Sequence, residues 1–466
     1  MSQFPVAIFD LGKTNSKLFV LSAEGRLIDE ARTRPIWLKY GDLNVLDDEA
    51  LFIWMKNELT RVVSAHGIVR VTFSGHGCTF ALVAGDNTLV HPILDYEQEP
   101  PTEIATRIDA LTPDFRETFS PPLPLGFNYG RHLLWLNERD PALLKQTDAI
   151  LAYPQFWSWK FSLRKVSEVS YLGCHSNLWA PLLDDYSSLV DRMGWRGKMP
   201  AFARAGSVIG THSVSLIDGR NVDIDVHNGV HDSNAALYFY RSIGFSDFTL
   251  ISTGTWVIIL NPASPLESLD AGRDMVANVT VDRQPVATIR FMGGREYDLA
   301  SDGWTMPISA QAVAAIIAKR CFALPSFAAG GPMQGHAGHF IGPTITGEER
   351  AAAALLYVAL MTDLSLDLIG SRNTIVIDGG LVKTGLYAAI LAALRPGQTI
   401  HTSANPEGSA FGAAALVFDE TGGNPFVNDC SVALAAAIPG LDAYRHEWRL
   451  HVDTMAAKNS EYGEAV

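Results

Sequence analysis

The sequence predicts an α/β protein of two large lobes, each built on a mixed sheet, and three observations carry that expectation. A chain of 466 residues with 47% hydrophobic residues is longer than a single core usually serves. A strand, a polar turn and a returning strand open the first half at Val6, and the same pattern opens the second half at Phe248. Helical spacing and a further apolar strand follow each of them, the order of an α/β lobe.

In the first half, Val6 to Phe9 and Leu18 to Leu21 are short apolar runs joined by Gly12-Lys13-Thr14-Asn15, and Leu27 to Ala31 can supply a third strand. Asp47 and Asp48 precede Leu51, Phe52, Trp54, Met55, Leu59 and Val62 at helical spacing, ending near Gly67, which predicts a capped helix. Val69 to Phe73 reads as the next strand. In the second half, Phe248 to Ser252 and Val257 to Leu260 flank the turn Thr253-Gly254-Thr255. Thr346 and Glu349 predict a capping box ahead of a long apolar helix. Thr374 to Ile377 is a strand ending in Asp378-Gly379-Gly380, Leu386 to Leu394 a helix, Thr399 to Thr402 a strand and Gly408 to Val417 a small-residue helix. The boundary falls near Gly244, giving lobes of 1–243 and 244–466.

Composition excludes several classes. Thirty-six basic against 50 acidic residues leave a net charge of -14, which repels a phosphate backbone, so no nucleic-acid partner is expected. Cys78, Cys174, Cys321 and Cys430 are scattered without CxxC spacing, the usage of a reducing compartment. No signal-like segment opens the chain, and no uninterrupted apolar stretch reaches the roughly 20 residues of a membrane span. A cytoplasmic protein without a membrane partner is expected. The 13 histidines show no HxH or HExxH spacing, so no structural metal is assigned.

The sharpest chemical feature is Asp10-Leu11-Gly12-Lys13-Thr14-Asn15-Ser16-Lys17 between two strands. Gly12 lets the backbone turn, hydroxyl and amide groups donate to anionic oxygens, and Lys13 and Lys17 add positive charge. Asp10 at a strand end suits the hydration shell of magnesium. By itself the segment is equally an ordinary polar hairpin. The same chemistry recurs at Ser252-Thr253-Gly254-Thr255, so two hydroxyl-rich hairpins can grip one polyphosphate from both sides of a cleft. Neither is a Walker loop, because no GxxxxGK[ST] occurs and each turn leads into a strand. Gly229-Val230-His231-Asp232-Ser233 precedes a helical run, where Asp232 can serve as a general base or Asp232 or Ser233 as a plain helix cap. Asp378-Gly379-Gly380 and Pro406-Glu407-Gly408-Ser409-Ala410-Phe411-Gly412 leave room for a flat nucleoside, although such glycines are also common packing devices.

Together these elements resemble the FGGY family of carbohydrate kinases, within the actin, hexokinase and heat-shock chaperone fold class. DLGKTNSK at 10–17 resembles the family's first phosphate loop, SGHG at 74–77 its sugar-side loop, and GRHLLWL at 130–136 its KLxWL signature. GVHDSNAA at 229–236 is similar to GxHD, STGTW at 252–256 to the second phosphate loop, VIDGG at 376–380 to the adenosine motif and GSAFGAAAL to the closing helix. HD followed by a small polar residue, STGTW and Ser176-Asn177-Leu178-Trp179 are nearest to the rhamnulokinase and fuculokinase branch. Two stretches depart from the pattern: Leu94 to Gln98 lacks WxDxR, and Arg290 to Tyr297 does not follow the rhamnulokinases.

The resemblance implies two ribonuclease-H-like lobes with a ligand cleft between them, and an ATP-dependent kinase using Mg²⁺. It implies Asp232 as the catalytic base and His76, Gly77, His231, Asp232 and Ser233 around the sugar. The nucleotide and its phosphates fall to Asp10, Gly12, Lys13, Thr14, Asn15, Ser16, Lys17, Thr253, Gly254, Thr255, Gly379, Gly380 and Ser409, with Asp10 toward the metal. The implied substrate is a ketose or deoxyketose, L-fuculose or L-rhamnulose ahead of ribulose, xylulose or a glycerol-like polyol, and a homodimer is among the expected assemblies. The rival expectation is a nucleotide-dependent binding protein of the same fold that phosphorylates nothing.

Overall fold

Strand β1 (Val6–Leu11) and strand β2 (Ser16–Leu21) form an antiparallel hairpin, closed by the Gly12 N–H donating to the Asn15 carbonyl at 3.1 Å. Val6 to Phe9 are fully buried, so β1 is covered on both faces, as a central strand must be. The computed structural model describes residues 4–381, 385–403 and 407–463. Two compact units make up the chain: Met1–Phe245 with Ala277–Pro285 and Glu407–Asn428, and Ser246–Val276 with Val286–Pro406 and Asp429–Val466.

In the first unit, β3 (Leu27–Thr33) pairs antiparallel with β2. Helix α1 (Asp48–His66) then starts on Asp47, whose side chain accepts from the Ala50 N–H, and stops at left-handed Gly67. The chain returns as β4 (Arg70–Gly75), parallel to β1, and helix α2 (Tyr153–Ser162) lies against it. Strands β5 (Val208–Ser215) and β6 (Asn221–His227) complete the order β5-β6-β4-β1-β2-β3. A two-residue strand, β7 (Val230–His231), pairs with Ser74 and Gly75 at the end of β4, and helix α3 (Asp232–Ser242) begins immediately after it.

The second unit repeats the plan. Strands β8 (Phe248–Thr253) and β9 (Val257–Asn261) form the hairpin, and β11 (Pro285–Phe291) and β10 (Met275–Val279) extend the sheet, the residues of β10 from Ala277 onward being counted with the first unit. Helices α4 (Gly293–Ala300) and α5 (Gly347–Leu368) lead to β12 (Thr374–Gly379), parallel to β8. After α6 (Leu386–Leu394) come β13 (Ile400–Thr402), α7 (Gly408–Glu420), β14 (Ser431–Val432) and the last helix, α8 (Leu441–Gly463). Its sheet runs β10-β11-β9-β8-β12-β13-β14. The order β11-β9-β8-β12 matches β3-β2-β1-β4 with the same strand directions, so the lobe is duplicated as expected.

Three details differ from the sequence reading. Helix α7 belongs to the first unit rather than to a contiguous 244–466 lobe, and it packs on α3 and β1. Gly412 permits this, because a Cβ there would overlap the Ala235 carbonyl. Secondly, the expected capping box does not form: Thr346 makes no side-chain cap bond, Glu348 accepts from the Ser309 N–H and Glu349 pairs with Lys319. Thirdly, α5 is by length and composition apolar enough to cross a membrane although no uninterrupted apolar stretch of that length occurs, and 89% of its apolar window is buried inside the fold. Thr362, Asp363 and Ser365 interrupt the apolar run in sequence, and the fold buries them with it.

Helices α4 and α5 meet at a buried carboxyl. Glu296 accepts from the Tyr357 hydroxyl, and burial pushes its pKa up to about 8. Unfolded, it would titrate near the usual carboxylate value of about 4.3. Between those values the folded chain keeps a proton that the unfolded chain has lost, so stability falls as pH rises through that window. Glu296→Gln removes the loss. The variant's melting temperature is expected to exceed the wild type's by a margin that widens from pH 5 to pH 8; calorimetry showing a constant margin would refute this.

Candidate functional site

The ends of β1, β4 and β7 lie side by side, since Asp10 pairs with Ser74 and Leu11 with Gly75, while His231 pairs with Gly75 on the other side. This register brings Asp10, His76, Gly77, His231 and Asp232 to one edge of the first unit's sheet. Gly77 makes the approach possible: a Cβ there would lie 3.1 Å from His231 Nε2 and 3.5 Å from Cys174 Sγ. Both imidazoles are kept neutral, their pKa values lowered chiefly by burial. The His76 ring packs, tilted, against Tyr96 and Tyr153 at centroid distances of 5.2 and 4.7 Å.

Asp232 is the first residue of α3, with His231 as the cap position and no side-chain cap bond. Its Oδ1 accepts from the Ser233 N–H at 2.5 Å and the Ser233 hydroxyl at 3.1 Å, and His231 Nε2 lies 3.2 Å away. Asp10 is pushed up to about 6, first by burial and further by the Asp232 and Glu407 carboxylates, against the opposing charge of Lys17. Ser409 donates to Asp10 Oδ2 at 3.3 Å, and Lys17 Nζ lies 2.6 Å from Glu407 Oε2. Glu407 and Ser409, read in sequence as part of a nucleoside loop, therefore stand beside Asp10 in the first unit; Pro406 lies outside the described residues.

The hairpin tip separates by role. Thr14 and Asn15 are exposed and Ser16 is buried, its hydroxyl without a partner among the described residues. Lys13, expected on phosphate, is engaged elsewhere. It pairs with Asp95 and with Glu97 at 3.2 Å, and its ammonium lies 4.7 and 4.6 Å from the Trp37 and Tyr96 ring centroids. The stretch that departs from WxDxR thus receives its cation from the hairpin. Arg131 of the KLxWL-like run is a structural residue, buried and paired with Glu99 and Asp109 at 2.6 and 2.7 Å.

In the second unit, Thr253 is buried and its hydroxyl is already used: it donates to the Asp378 carbonyl at 2.6 Å and accepts from the Leu381 N–H at 3.1 Å. Gly379, at φ 91°, has no room for a Cβ against the Thr253 carbonyl. The two motifs are one clamped element, with Gly254, Thr255 and Gly380 left exposed. Arg290, in the other departing stretch, pairs with buried Asp274 at 2.9 Å, and Asp274 also accepts from the Gly331 N–H. Sequence reasoning missed Asp95, Tyr96, Cys174 and Asn234 as site neighbours. Only the departure at 94–98 hinted at the first two.

A family model for the C-terminal domain of FGGY carbohydrate kinases matches residues 245–425. The crystal structure of a carbohydrate kinase from Novosphingobium aromaticivorans is 31% identical, covers 97% of this chain and 99% of its own, and superposes with a TM-score of 0.84. The chain belongs to the FGGY carbohydrate kinases. Among curated FGGY relatives, L-fuculokinase from Escherichia coli K12 is 23% identical over 273 residues, 56% of this chain. The chain spans 57% of that relative's length in the match. A ligand-bound xylulose kinase from Lactobacillus acidophilus, 15% identical with a TM-score of 0.80 and covering 99% of this chain and 100% of its own, shares the fold. The two-lobe, actin- and hexokinase-like class expected from sequence is thereby established for this FGGY chain.

Proposed function

We propose that this chain transfers the γ-phosphoryl group of ATP to a hydroxyl of a ketose or deoxyketose. The observation that carries the reading is Asp232, a carboxylate held at the first position of α3 with His231 Nε2 3.2 Å from its Oδ1, in a family of carbohydrate kinases. In this reading Asp232 accepts the proton of the attacking hydroxyl. His76, Gly77, His231 and Ser233 surround the sugar. Thr14, Asn15 and Lys17 present donors to phosphate oxygens, and Gly254, Thr255 and Gly380 of the second unit receive the nucleotide. L-fuculose leads the list because the curated matches are L-fuculokinases, with L-rhamnulose next, then ribulose, xylulose and glycerol-like polyols.

The donor set fits magnesium. Among the described residues no three His, Cys, Asp or Glu side chains form a metal cage, and magnesium uses one or two carboxylates and keeps its waters. Asp10, half-buried near the Asp232 and Glu407 carboxylates and Lys17, would hold it, and the ion when bound supplies charge neutralisation of the phosphates. A coupled assay of ADP release over these sugars tests the function. Sugar-dependent ADP formation is expected; ATP binding without turnover on any sugar would favour the non-catalytic rival.

Two variants probe the assignments. Lys13→Ala is expected to raise the sugar KM several-fold and the ATP KM less, because its ammonium ties down Asp95 and Glu97. An effect on ATP alone would return Lys13 to the phosphates. Gly379→Ala places a Cβ where the Thr253 carbonyl sits, at a backbone angle that costs a non-glycine residue about 1–3 kcal/mol. Weaker ATP binding in calorimetric titration is expected, and unchanged binding would detach this loop from the nucleotide.

A further inference from the structure

The residue that orders the His231–Asp232 pair sits one turn further along α3. Asn234 is buried, and its Nδ2 lies 2.9 Å from His231 Nδ1, 3.3 Å from the Ser170 carbonyl oxygen and 3.4 Å from Asn278 Oδ1. A backbone carbonyl can only accept, so the amide nitrogen must face Ser170; turning the amide over would set two oxygens against each other. Nδ2 is therefore the donor to His231 Nδ1. A neutral imidazole that accepts at Nδ1 carries its proton on Nε2. That N–H faces Asp232 Oδ1 at 3.2 Å and Cys174 Sγ at 3.4 Å.

We propose that Asn234 is a positioning residue, which fixes His231 as the Nε2–H tautomer so that the imidazole holds Asp232 through Oδ1. Three donors then converge on that one oxygen, namely the Ser233 N–H, the Ser233 hydroxyl and His231 Nε2–H. Oδ2 is left as the atom that takes the substrate proton. The opposite tautomer would aim a lone pair of Nε2 at a carboxylate oxygen, and the Asp232 side chain would turn from its place. The proposal rests on the reading of Asp232 as the base, but the tautomer can be read without any turnover.

The test is ¹⁵N NMR of the full-length chain labelled at histidine, with the His231 signals assigned through His231→Gln. Near neutral pH, wild-type His231 is expected to show a protonated Nε2 and an unprotonated Nδ1. Asn234→Ala is expected to mix the two tautomers and to lower kcat by at least about 10-fold, the low end of the roughly 10- to 10⁴-fold range for losing a histidine-orienting partner, with the sugar KM little changed. A wild-type ring protonated on Nδ1 overturns the proposal, as does an Asn234→Ala protein that keeps both the Nε2–H signal and wild-type kcat. If Asn234→Ala does not fold, the wild-type tautomer decides. If the tautomer is as expected while Asp232→Asn keeps full turnover, the positioning holds and the base assignment is what fails.

Discussion

Asp232→Asn is expected to cut turnover by about 10²- to 10⁴-fold, the range for removing a general base, while ATP binding stays nearly intact. Asparagine keeps the shape of the side chain, and its Oδ1 still accepts from Ser233, which supplies two of the donors to Asp232. Helix α3 should therefore begin where it does now. What disappears is the ability to take a proton from the attacking hydroxyl. Single-turnover kinetics at saturating sugar, with nucleotide titration and melting temperature measured alongside, separate this from a folding defect. A variant with near wild-type turnover would make Asp232 a residue of the helix start and nothing more.

The second large effect is expected in stability and far from that edge. Asp363, inside α5, is fully buried and meets three guanidinium groups. Arg395 lies at 3.3 Å, Arg445 at 2.8 Å and Arg449 at 2.6 Å. Asp367, one helical turn on, shares Arg395 at 2.5 Å and Arg449 at 3.1 Å. The cluster ties α5 to the residue after α6 and to α8. Asp363→Ala leaves three cations around one remaining carboxylate, and breaking a buried pair in this way costs about 3–5 kcal/mol. Urea or thermal unfolding should show a large loss. A loss below about 1 kcal/mol, the scale of an exposed pair, would mean that Asp367 and solvent compensate and that the cluster is ornamental to stability.

The sequence alone made the duplication legible, because it is written in local periodicity. The runs at Val6 and Phe248 announce their hairpins, Asp47 and Gly67 bracket α1, and Leu386 to Leu394 reads as the helix it is. The residues of the candidate site were legible for a related reason. Asp10, His76, Gly77, His231 and Asp232 stand next to strand ends, where glycine and short polar residues interrupt apolar runs.

Tertiary structure decided what depends on pairing between distant segments. Local pattern could propose a capping box at Thr346, but Glu348 and Glu349 found Ser309 and Lys319 instead, partners that no window around Thr346 contains. Lys13 reads in sequence as a phosphate ligand; only the fold brings Asp95 and Glu97 beside its ammonium, partners that no window around the hairpin contains. Helix α7 lies in sequence between two segments of the second unit yet belongs to the first, since Gly412 fits against Ala235 and the apolar face of α3 needs cover. Periodicity records which face a segment buries. Only the folded chain records what it is buried against, because burial energy rewards any well-fitting apolar partner and is indifferent to its distance along the sequence.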